Sequence, residues 1–214
     1  SFEESKRFFK PKKIVMSGNP VRRGLLQKLL DAPARETSDT IHILVSGGSL
    51  GAVAVNELAA HALSVIAKER PIAIVHQTGE KGLAATKAIY EAAGVTAECS
   101  AFIKDMAAAY HRADLIIGRA GATTVAELAI AGKPAIFIPY PHAADDHQTI
   151  NAREMELAGA ALSFKQSELT ADKLVTALRP LLETTKRAEM AAAMKALAKP
   201  RAAAAVVDWC IEQR

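Results

Sequence analysis

The chain has 214 residues, of which 50% are hydrophobic and 23% charged, and its formal net charge is +4. These values are ordinary for a globular protein, and the length suffices for one domain with a buried core. The two cysteines, Cys99 and Cys210, are too few for a disulfide framework or a cysteine-based zinc site. No apolar run approaches the ~20 residues of a membrane-spanning helix. These features favour a cytoplasmic protein.

Basic side chains crowd the first residues of the chain, at Lys6, Arg7, Lys10, Lys12 and Lys13. Such a cluster can contact anionic lipid or nucleic acid. A solvated terminus or linker is the simpler interpretation, since no nucleic-acid motif accompanies the cluster. We therefore expect no nucleic-acid partner.

From residue 41 onward, short apolar strand patterns alternate with helical patterns. We predict strands at Ile41–Val45, Ile72–His76, Cys99–Ile103, Leu115–Ile117 and Ala135–Ile138, with a weaker one at Ala161–Phe164. The helices predicted between them are Ala52–Lys68, Leu83–Ala93, Met106–Arg112, Thr124–Ala131 and Gln148–Leu157. Because the strands lack a polar alternation, both faces of their sheet should be covered. The pattern predicts an α/β fold with a doubly wound, Rossmann-like parallel sheet.

The two ends of the chain carry weaker signals. A strand-like stretch, Lys13–Ser17, stands alone near the beginning. The tail is predicted to be helical, and Trp209 in its last helix is expected to pack against another surface. These tail helices are Ala171–Leu182, Thr185–Leu197 and Ala202–Gln213.

Ligands of a doubly wound sheet bind beyond the carboxyl ends of its strands. The first loop at that edge reads VSGGSLGA, from Val45 to Ala52. Its glycines permit a sharp turn, Ser49 offers a hydroxyl, and the helix that follows offers free N–H groups to an anionic phosphate. The loop lacks the lysine of a P-loop and is not GxGxxG, so a plain βα turn is an equally good interpretation.

A second loop, GRAGATTVAEL, runs from Gly118 to Leu128. Gly121 begins another helix, with Thr123 and Thr124 as candidate capping hydroxyls. Glu127 follows about one turn later, where its carboxylate can accept hydrogen bonds from two vicinal ribose hydroxyls. The alternative is an acidic residue in the first turn that complements the helix dipole.

A third loop, from Pro139 to Ala152, concentrates polar side chains suited to sugar hydroxyls, at Asp145, Asp146, His147, Gln148 and Asn151. With His142 these residues include possible metal ligands, but their spacing matches no standard metal motif. Arg22 precedes a helix-like stretch and can reach an anionic ligand. His76 and Lys104 stand at strand ends, where packing or solvent contact is the simpler role for each.

Five segments resemble, in order, the carboxyl-terminal half of the MurG family of glycosyltransferases. They are GNPVR (18–22), VSGGSLGA (45–52), HQTG (76–79), the stretch 102–141 and DHQTINA (146–152). The resemblance covers nearly the whole chain. It implies one half of a GT-B fold that serves peptidoglycan synthesis, by transfer of N-acetylglucosamine from UDP-N-acetylglucosamine to undecaprenyl-pyrophosphoryl-N-acetylmuramoyl-pentapeptide.

The resemblance also implies roles for single residues. Arg22 lies in the donor site, Ser49 contacts the diphosphate, and the backbone of Ile103 holds the uracil edge. Glu127 binds the ribose hydroxyls. Backbone contacts come from the residues before it, which are Ala122, Thr123, Thr124, Val125 and Ala126.

Contacts to the sugar hydroxyls are implied for His147 and Gln148. The donor is itself the substrate, so no cofactor and no metal are implied. The catalytic residues stay unassigned, because the general base is expected in the amino-terminal half of the family's proteins, which this chain does not match.

The same resemblance divides the chain. Residues 1–20 are expected to be the end of the unmatched amino-terminal half, 21–200 the donor-binding domain, and 201–214 a helix that packs on that other half. We expect the chain alone to bind donor but turn over poorly or not at all. The whole enzyme should lie peripherally on the cytoplasmic face of the membrane, where it meets its lipid-linked acceptor.

Two other functions are open from the sequence. The chain is alternatively a stand-alone donor-binding subunit of a split UDP-N-acetylglucosamine transferase, or a non-catalytic module that binds nucleotide sugars. An NAD-linked enzyme is disfavoured because GxGxxG is missing.

Overall fold

A single parallel sheet organises the described part of the computed structural model, which comprises residues 14–33, 38–48 and 51–212. Within these residues, six strands pair in the order β3-β2-β1-β4-β5-β6. They are β1 (Ile41–Ser46), β2 (Ile72–Gln77), β3 (Glu98–Ser100), β4 (Leu115–Gly118), β5 (Ala135–Phe137) and β6 (Ala161–Ser163). Every pairing is parallel, which confirms the predicted doubly wound sheet. The strand order reverses between β1 and β4, and ligands of such sheets bind at this switch point.

Helices precede, connect and follow the strands. Helix α1 (Arg23–Leu30) comes before β1, and three helices follow β6: α7 (Ala171–Leu181), α8 (Thr184–Ala196) and α9 (Ala202–Glu212). The connecting helices are α2 (Val53–Glu69), α3 (Leu83–Ala92), α4 (Met106–Arg112), α5 (Ala122–Ala131) and α6 (His147–Leu157).

Consecutive residues of β1 enter opposite cores, which explains its unbroken apolar run. Ile43 and Val45 pack into a cluster with α2 and α7, whereas Leu44 packs into a cluster with α4, α5 and α6. All three side chains are at most 1% exposed. Burying a side chain of this size contributes roughly 1.5–3 kcal/mol, so both faces of the central strand fix its position.

Three sequence predictions need correction. The third strand ends at Ser100, so Ile103 lies in the following loop. Residues 14–17 form no strand, because they pair with neither edge of the sheet, and Lys13 lies outside the described residues. Helix α5 begins at Ala122 rather than Thr124, since Gly121 is its N-cap. The two threonines therefore belong to the first turn, and no side chain caps this helix.

Helix α9 is weakly buried. Val207 and Ile211 are 56% and 63% exposed, and Trp209 is only half-buried, so its expected packing is partly present. Among the described residues, no helix combines the length and the apolar character needed to span a membrane.

Candidate functional site

A cavity of about 610 Å³ lies at the carboxyl edge of the sheet, beside the switch point. The loop after β1, the loop after β4 and the loop after β5 form its walls. Its lining includes Gly48, Thr124 and Gln148 among the residues that the sequence singled out. Ser49, the predicted diphosphate contact, lies outside the described residues.

The loop after β1 reaches this cavity through a close backbone contact at Gly51. Its φ is +73°, and a Cβ there would stand 2.1 Å from the carbonyl oxygen of Thr78. Only glycine adopts this conformation without strain and leaves room for that carbonyl. Gly51 therefore lets the loop after β1 lie directly on the loop after β2.

Two helix N-termini border the cavity. Helices α2 and α5 begin after Ala52 and Gly121, and neither N-cap residue makes a side-chain capping bond. The first N–H groups of a helix have no partner within it and carry a partial positive charge. The arrangement suits an anion held between the two helices, such as a diphosphate.

Arg119, which sequence reasoning missed, braces the loop after β5. Its guanidinium donates to the carbonyl oxygens of Ile138 and Pro139, both at 2.8 Å, and to Gln166 Oε1 at 2.7 Å. It also lies 5.4 Å from the ring centroid of Tyr140. Burial lowers the pKa of Arg119, but an arginine stays charged at any physiological pH. A fixed positive charge therefore lines the cavity.

Glu127 is buried in α5, at 7% exposure. Its Oε2 accepts a hydrogen bond of 2.9 Å from the Tyr110 hydroxyl. Burial raises the pKa of this carboxyl, while the Tyr110 hydrogen bond and the charge of Arg22 act in the opposite direction. Because Glu127 lies beyond the first turn, the alternative of a first-turn residue that complements the dipole is wrong.

Arg22 immediately precedes α1 and lies in a separate cavity of about 400 Å³, together with Lys28, Lys104 and Asp105. Lys28 Nζ pairs with Asp105 Oδ2 at 2.9 Å on the surface. The positive charge of Arg22 also acts on the Glu127 carboxyl and lowers its pKa.

Gln77, which was also missed, joins the loops after β1 and β3. Its Nε2 donates to the Gly48 carbonyl oxygen at 2.9 Å, and its Oε1 accepts from the Ile103 N–H at 3.1 Å. A polar residue at the end of a predicted strand, within HQTG, was the signal available in the sequence. The neighbouring His76 faces the core and has the structural role expected of it.

The loop after β5 holds its predicted sugar-binding residues in different ways. Gln148 Oε1 accepts from the Tyr140 N–H at 3.0 Å, on the cavity wall. His147 is exposed at the start of α6. Asn151 is buried and donates to the Ala120 carbonyl oxygen at 2.9 Å, so it stabilises the loop rather than facing a sugar.

Other predicted residues of α5 lie away from this cavity. The side chains of Ala122, Val125 and Ala126 line an apolar cavity of about 260 Å³ near Met16. Thr123 Oγ1 accepts a long hydrogen bond, 3.5 Å, from Asn19 Nδ2. A ligand in the larger cavity would thus meet this segment through backbone N–H groups and Thr124. Across the described part of the chain, no group of three or more His, Cys, Asp or Glu residues is placed to hold a metal ion.

The switch-point cavity, its helix N-termini and the parallel sheet define an α/β domain of the kind found in GT-B glycosyltransferases. The sequence model of the glycosyltransferase family 28 C-terminal domain matches residues 42–206. The chain belongs to this family.

Individual relatives agree with this assignment. The chain is 43% and 45% identical to the UDP-N-acetylglucosamine–N-acetylmuramyl-(pentapeptide) pyrophosphoryl-undecaprenol N-acetylglucosamine transferases of Myxococcus xanthus and Geobacter sulfurreducens. These matches cover 99% and 97% of this chain but 55% and 58% of the relatives. The crystal structure of Acinetobacter baumannii MurG is 41% identical, with a TM-score of 0.78, over 85% of this chain and 54% of that one. The chain thus spans little more than half the length of its relatives, and the predicted resemblance is confirmed.

Proposed function

We propose that this chain is the donor-binding domain of an inverting transferase that passes N-acetylglucosamine from UDP-N-acetylglucosamine to a lipid-linked N-acetylmuramoyl-pentapeptide. The observation that carries the proposal is the pair of uncapped helix N-termini, of α2 and α5, at the switch-point cavity. Relatives that share 43–45% of the sequence bear the name of that activity.

The donor would lie along the carboxyl edge of the sheet. Its diphosphate would sit between the two helix N-termini near Arg119, and its sugar would lie toward Gln148. The uracil would reach the backbone of Ile103, and the ribose diol would donate to Glu127 from the Arg22 side. His147 and the α5 residues 122–126 complete the proposed contacts, together with Ser49. No metal or other cofactor is needed, because these groups already complement the charge of the diphosphate.

In the transfer reaction, an acceptor hydroxyl would displace UDP from the anomeric carbon with inversion. Negative charge then grows on the leaving diphosphate, and preorganised N–H dipoles with Arg119 would stabilise it. The general base and the acceptor site are assigned to a further domain of the whole enzyme. Helix α9, with its exposed Val207 and Ile211, would pack on that domain. The whole enzyme would act on the cytoplasmic face of the membrane.

Titration of uridine ligands against wild type and Glu127→Gln tests the donor site. The substitution preserves shape but removes the charge that accepts both ribose hydroxyls. We expect uridine, UDP and UDP-N-acetylglucosamine to bind less tightly by on the order of 1–3 kcal/mol, measured by isothermal titration calorimetry.

The control ligand is 2′,3′-dideoxyuridine, which lacks both hydroxyls and should bind wild type and Glu127→Gln alike. Glu189→Gln, which replaces an exposed acidic residue of α8 outside the lining of the cavity, is the control variant. Equal affinity of uridine for wild type and Glu127→Gln would remove Glu127 from the site. NAD binding stronger than UDP binding would refute the proposed donor class.

A further inference from the structure

Gln77 occupies a junction between two loops that are distant in sequence. It is the last residue of β2 and is 3% exposed. Its amide nitrogen donates to Gly48, 29 residues earlier, and its amide oxygen accepts from Ile103, 26 residues later. One side chain therefore fixes a backbone group in each of two loops.

These two loops serve different parts of the proposed donor. Gly48 belongs to the glycine-rich loop that borders the cavity at the N-terminus of α2. Ile103 lies beyond β3, at the place proposed for the base. A side chain that bridges them sets the distance between the diphosphate position and the base position.

The neighbouring hydrogen bonds hold the adjacent backbone but do not make this connection. Thr78 and Gly79 donate their N–H groups to the carbonyl oxygens of Ser100 and Ala101, at 2.9 and 3.1 Å. These bonds dock the loop after β3 onto the loop after β2. The remaining link, from these loops to Gly48, is made by the Gln77 side chain, and no other side-chain hydrogen bond of the described residues makes it.

We propose that Gln77 is a positioning residue that preorganises the diphosphate loop relative to the base loop, so that one nucleoside diphosphate meets both at once. The proposal rests on the proposed function and adds to it a residue that need not touch the ligand. Preorganised groups cost less ordering on binding, so losing the tie should weaken the ligand that spans both loops most.

The test compares uridine with UDP on the 214-residue chain. The ratio of their dissociation constants is the affinity gained by adding the diphosphate. For Gln77→Leu, which removes both hydrogen bonds in a similar volume, we expect this gain to fall about fivefold, as for the loss of one net hydrogen bond. Uridine itself should weaken less than UDP.

Gln77→Glu provides a second variant in case the leucine variant folds poorly. Its carboxylate can still accept from the Ile103 N–H but cannot donate to the Gly48 carbonyl, and its charge opposes the diphosphate. The affinity gained by adding the diphosphate should fall more in Gln77→Glu than in Gln77→Leu, whereas uridine should bind nearly as tightly as to wild type.

Thr86→Val is the matched control. It also removes a buried side-chain hydrogen bond to backbone, from Thr86 Oγ1 to the Gly82 carbonyl at 2.7 Å, without touching either loop. It should lower the melting temperature and leave the uridine-to-UDP gain unchanged.

The outcomes separate this inference from the function it rests on. A reduced gain in both Gln77 variants, with an unchanged gain in Thr86→Val, supports the inference. A gain that stays at the wild-type value in the Gln77 variants, or falls equally in Thr86→Val, overturns it while the donor site stands. If wild type binds neither uridine nor UDP, the donor site itself is wrong and the inference falls with it.

Discussion

The loops at the carboxyl edge of the sheet fall into two halves, which are held together by different chemistry. On the amide-held half, the loops after β1 and β3, the neutral Gln77 bridges Gly48 and Ile103. On the arginine-held half, the loops after β4 and β5, the guanidinium of Arg119 bridges two carbonyl oxygens and Gln166. Both anchors hydrogen-bond backbone groups of the loops that they hold, but only the second carries a charge.

This difference shows how one site can combine rigid geometry with charge. A neutral amide is fully compensated once its donor and acceptor are paired, so it can be sealed almost completely from water. A buried guanidinium retains a desolvation cost, and its positive potential extends into the cavity. We infer that the amide-held half contributes mainly fixed distances, and the arginine-held half mainly attraction for an anionic ligand.

Replacing the charged anchor should have the largest effect. Arg119→Met removes three hydrogen bonds from a charged donor, and each contributes roughly 1.5 kcal/mol, so the free energy of unfolding should fall by about 4.5 kcal/mol. Urea denaturation monitored by circular dichroism measures this change.

The control is Arg70→Met, which breaks the exposed pair between Arg70 and Glu183. Exposed pairs contribute little because water and salt screen them, so its unfolding midpoint should stay near wild type. Equal losses in the two variants would mean that Arg119 stabilises the fold no more than a surface residue does.

Lowering the pH should have the second largest effect, because it protonates His76, the neighbour of Gln77. His76 precedes Gln77 and is fully buried between Tyr90 and Asn56, so desolvation lowers its pKa from 6.5 to about 4. The unfolded chain then takes up this proton at higher pH than the folded chain. The neutral histidine stabilises the fold fully above pH 6.5. This contribution to the free energy of unfolding, about 3 kcal/mol in all, is lost as the pH falls toward 4.

His76→Gln isolates this contribution from those of the acidic residues, which also titrate in the same range. We expect the variant to be less stable than wild type at pH 7 and to lose less stability between pH 6.5 and 4, as urea denaturation at each pH would show. Parallel pH profiles for the two proteins would contradict a buried, neutral His76.

The smallest effects should come from removing the hydroxyl groups of two buried tyrosines. Tyr110→Phe removes the hydroxyl that donates to Glu127, and uridine should bind about fivefold less tightly, or about 1 kcal/mol. Because that hydrogen bond lowers the pKa of Glu127, its loss should also move the acid-side decline of uridine binding to higher pH.

Tyr90→Phe is the matched variant, since its hydroxyl also bonds a buried side chain, His76 Nδ1, at 3.0 Å. It should lower stability without changing uridine affinity, measured by the same titrations. A uridine affinity that falls equally in both variants would show a general loss of packing rather than a specific role for Tyr110.

The sheet and its functional edge were predictable from local patterns. Apolar runs such as Ile41–Val45 alternate with helical segments, and this periodicity alone places the loops at one edge. Family likeness added the roles proposed for Arg22 and Glu127, and in the structure the charge of Arg22 acts on the Glu127 carboxyl. Ile103 was misplaced at the end of a strand because β3 stops pairing three residues earlier.

The anchors were not predictable, because each depends on contacts between distant segments. Arg119 and Gln166 are 47 residues apart, and nothing in their local sequence indicates that they meet. Asn151 was grouped with sugar-binding residues for its polarity, yet the fold uses it to hold the Ala120 carbonyl. Composition identifies which side chains can bind a sugar, whereas only packing decides which of them face the cavity.

Gly51 has a consequence for how this edge can change through evolution. Because a Cβ at Gly51 would stand 2.1 Å from the carbonyl oxygen of Thr78, the glycine-rich loop cannot acquire a side chain there without displacing the loop after β2. A descendant that adapts the glycine-rich loop to a new ligand must therefore alter the HQTG segment in concert. The two segments must therefore change together, although Gly51 and Thr78 are 27 positions apart in the sequence.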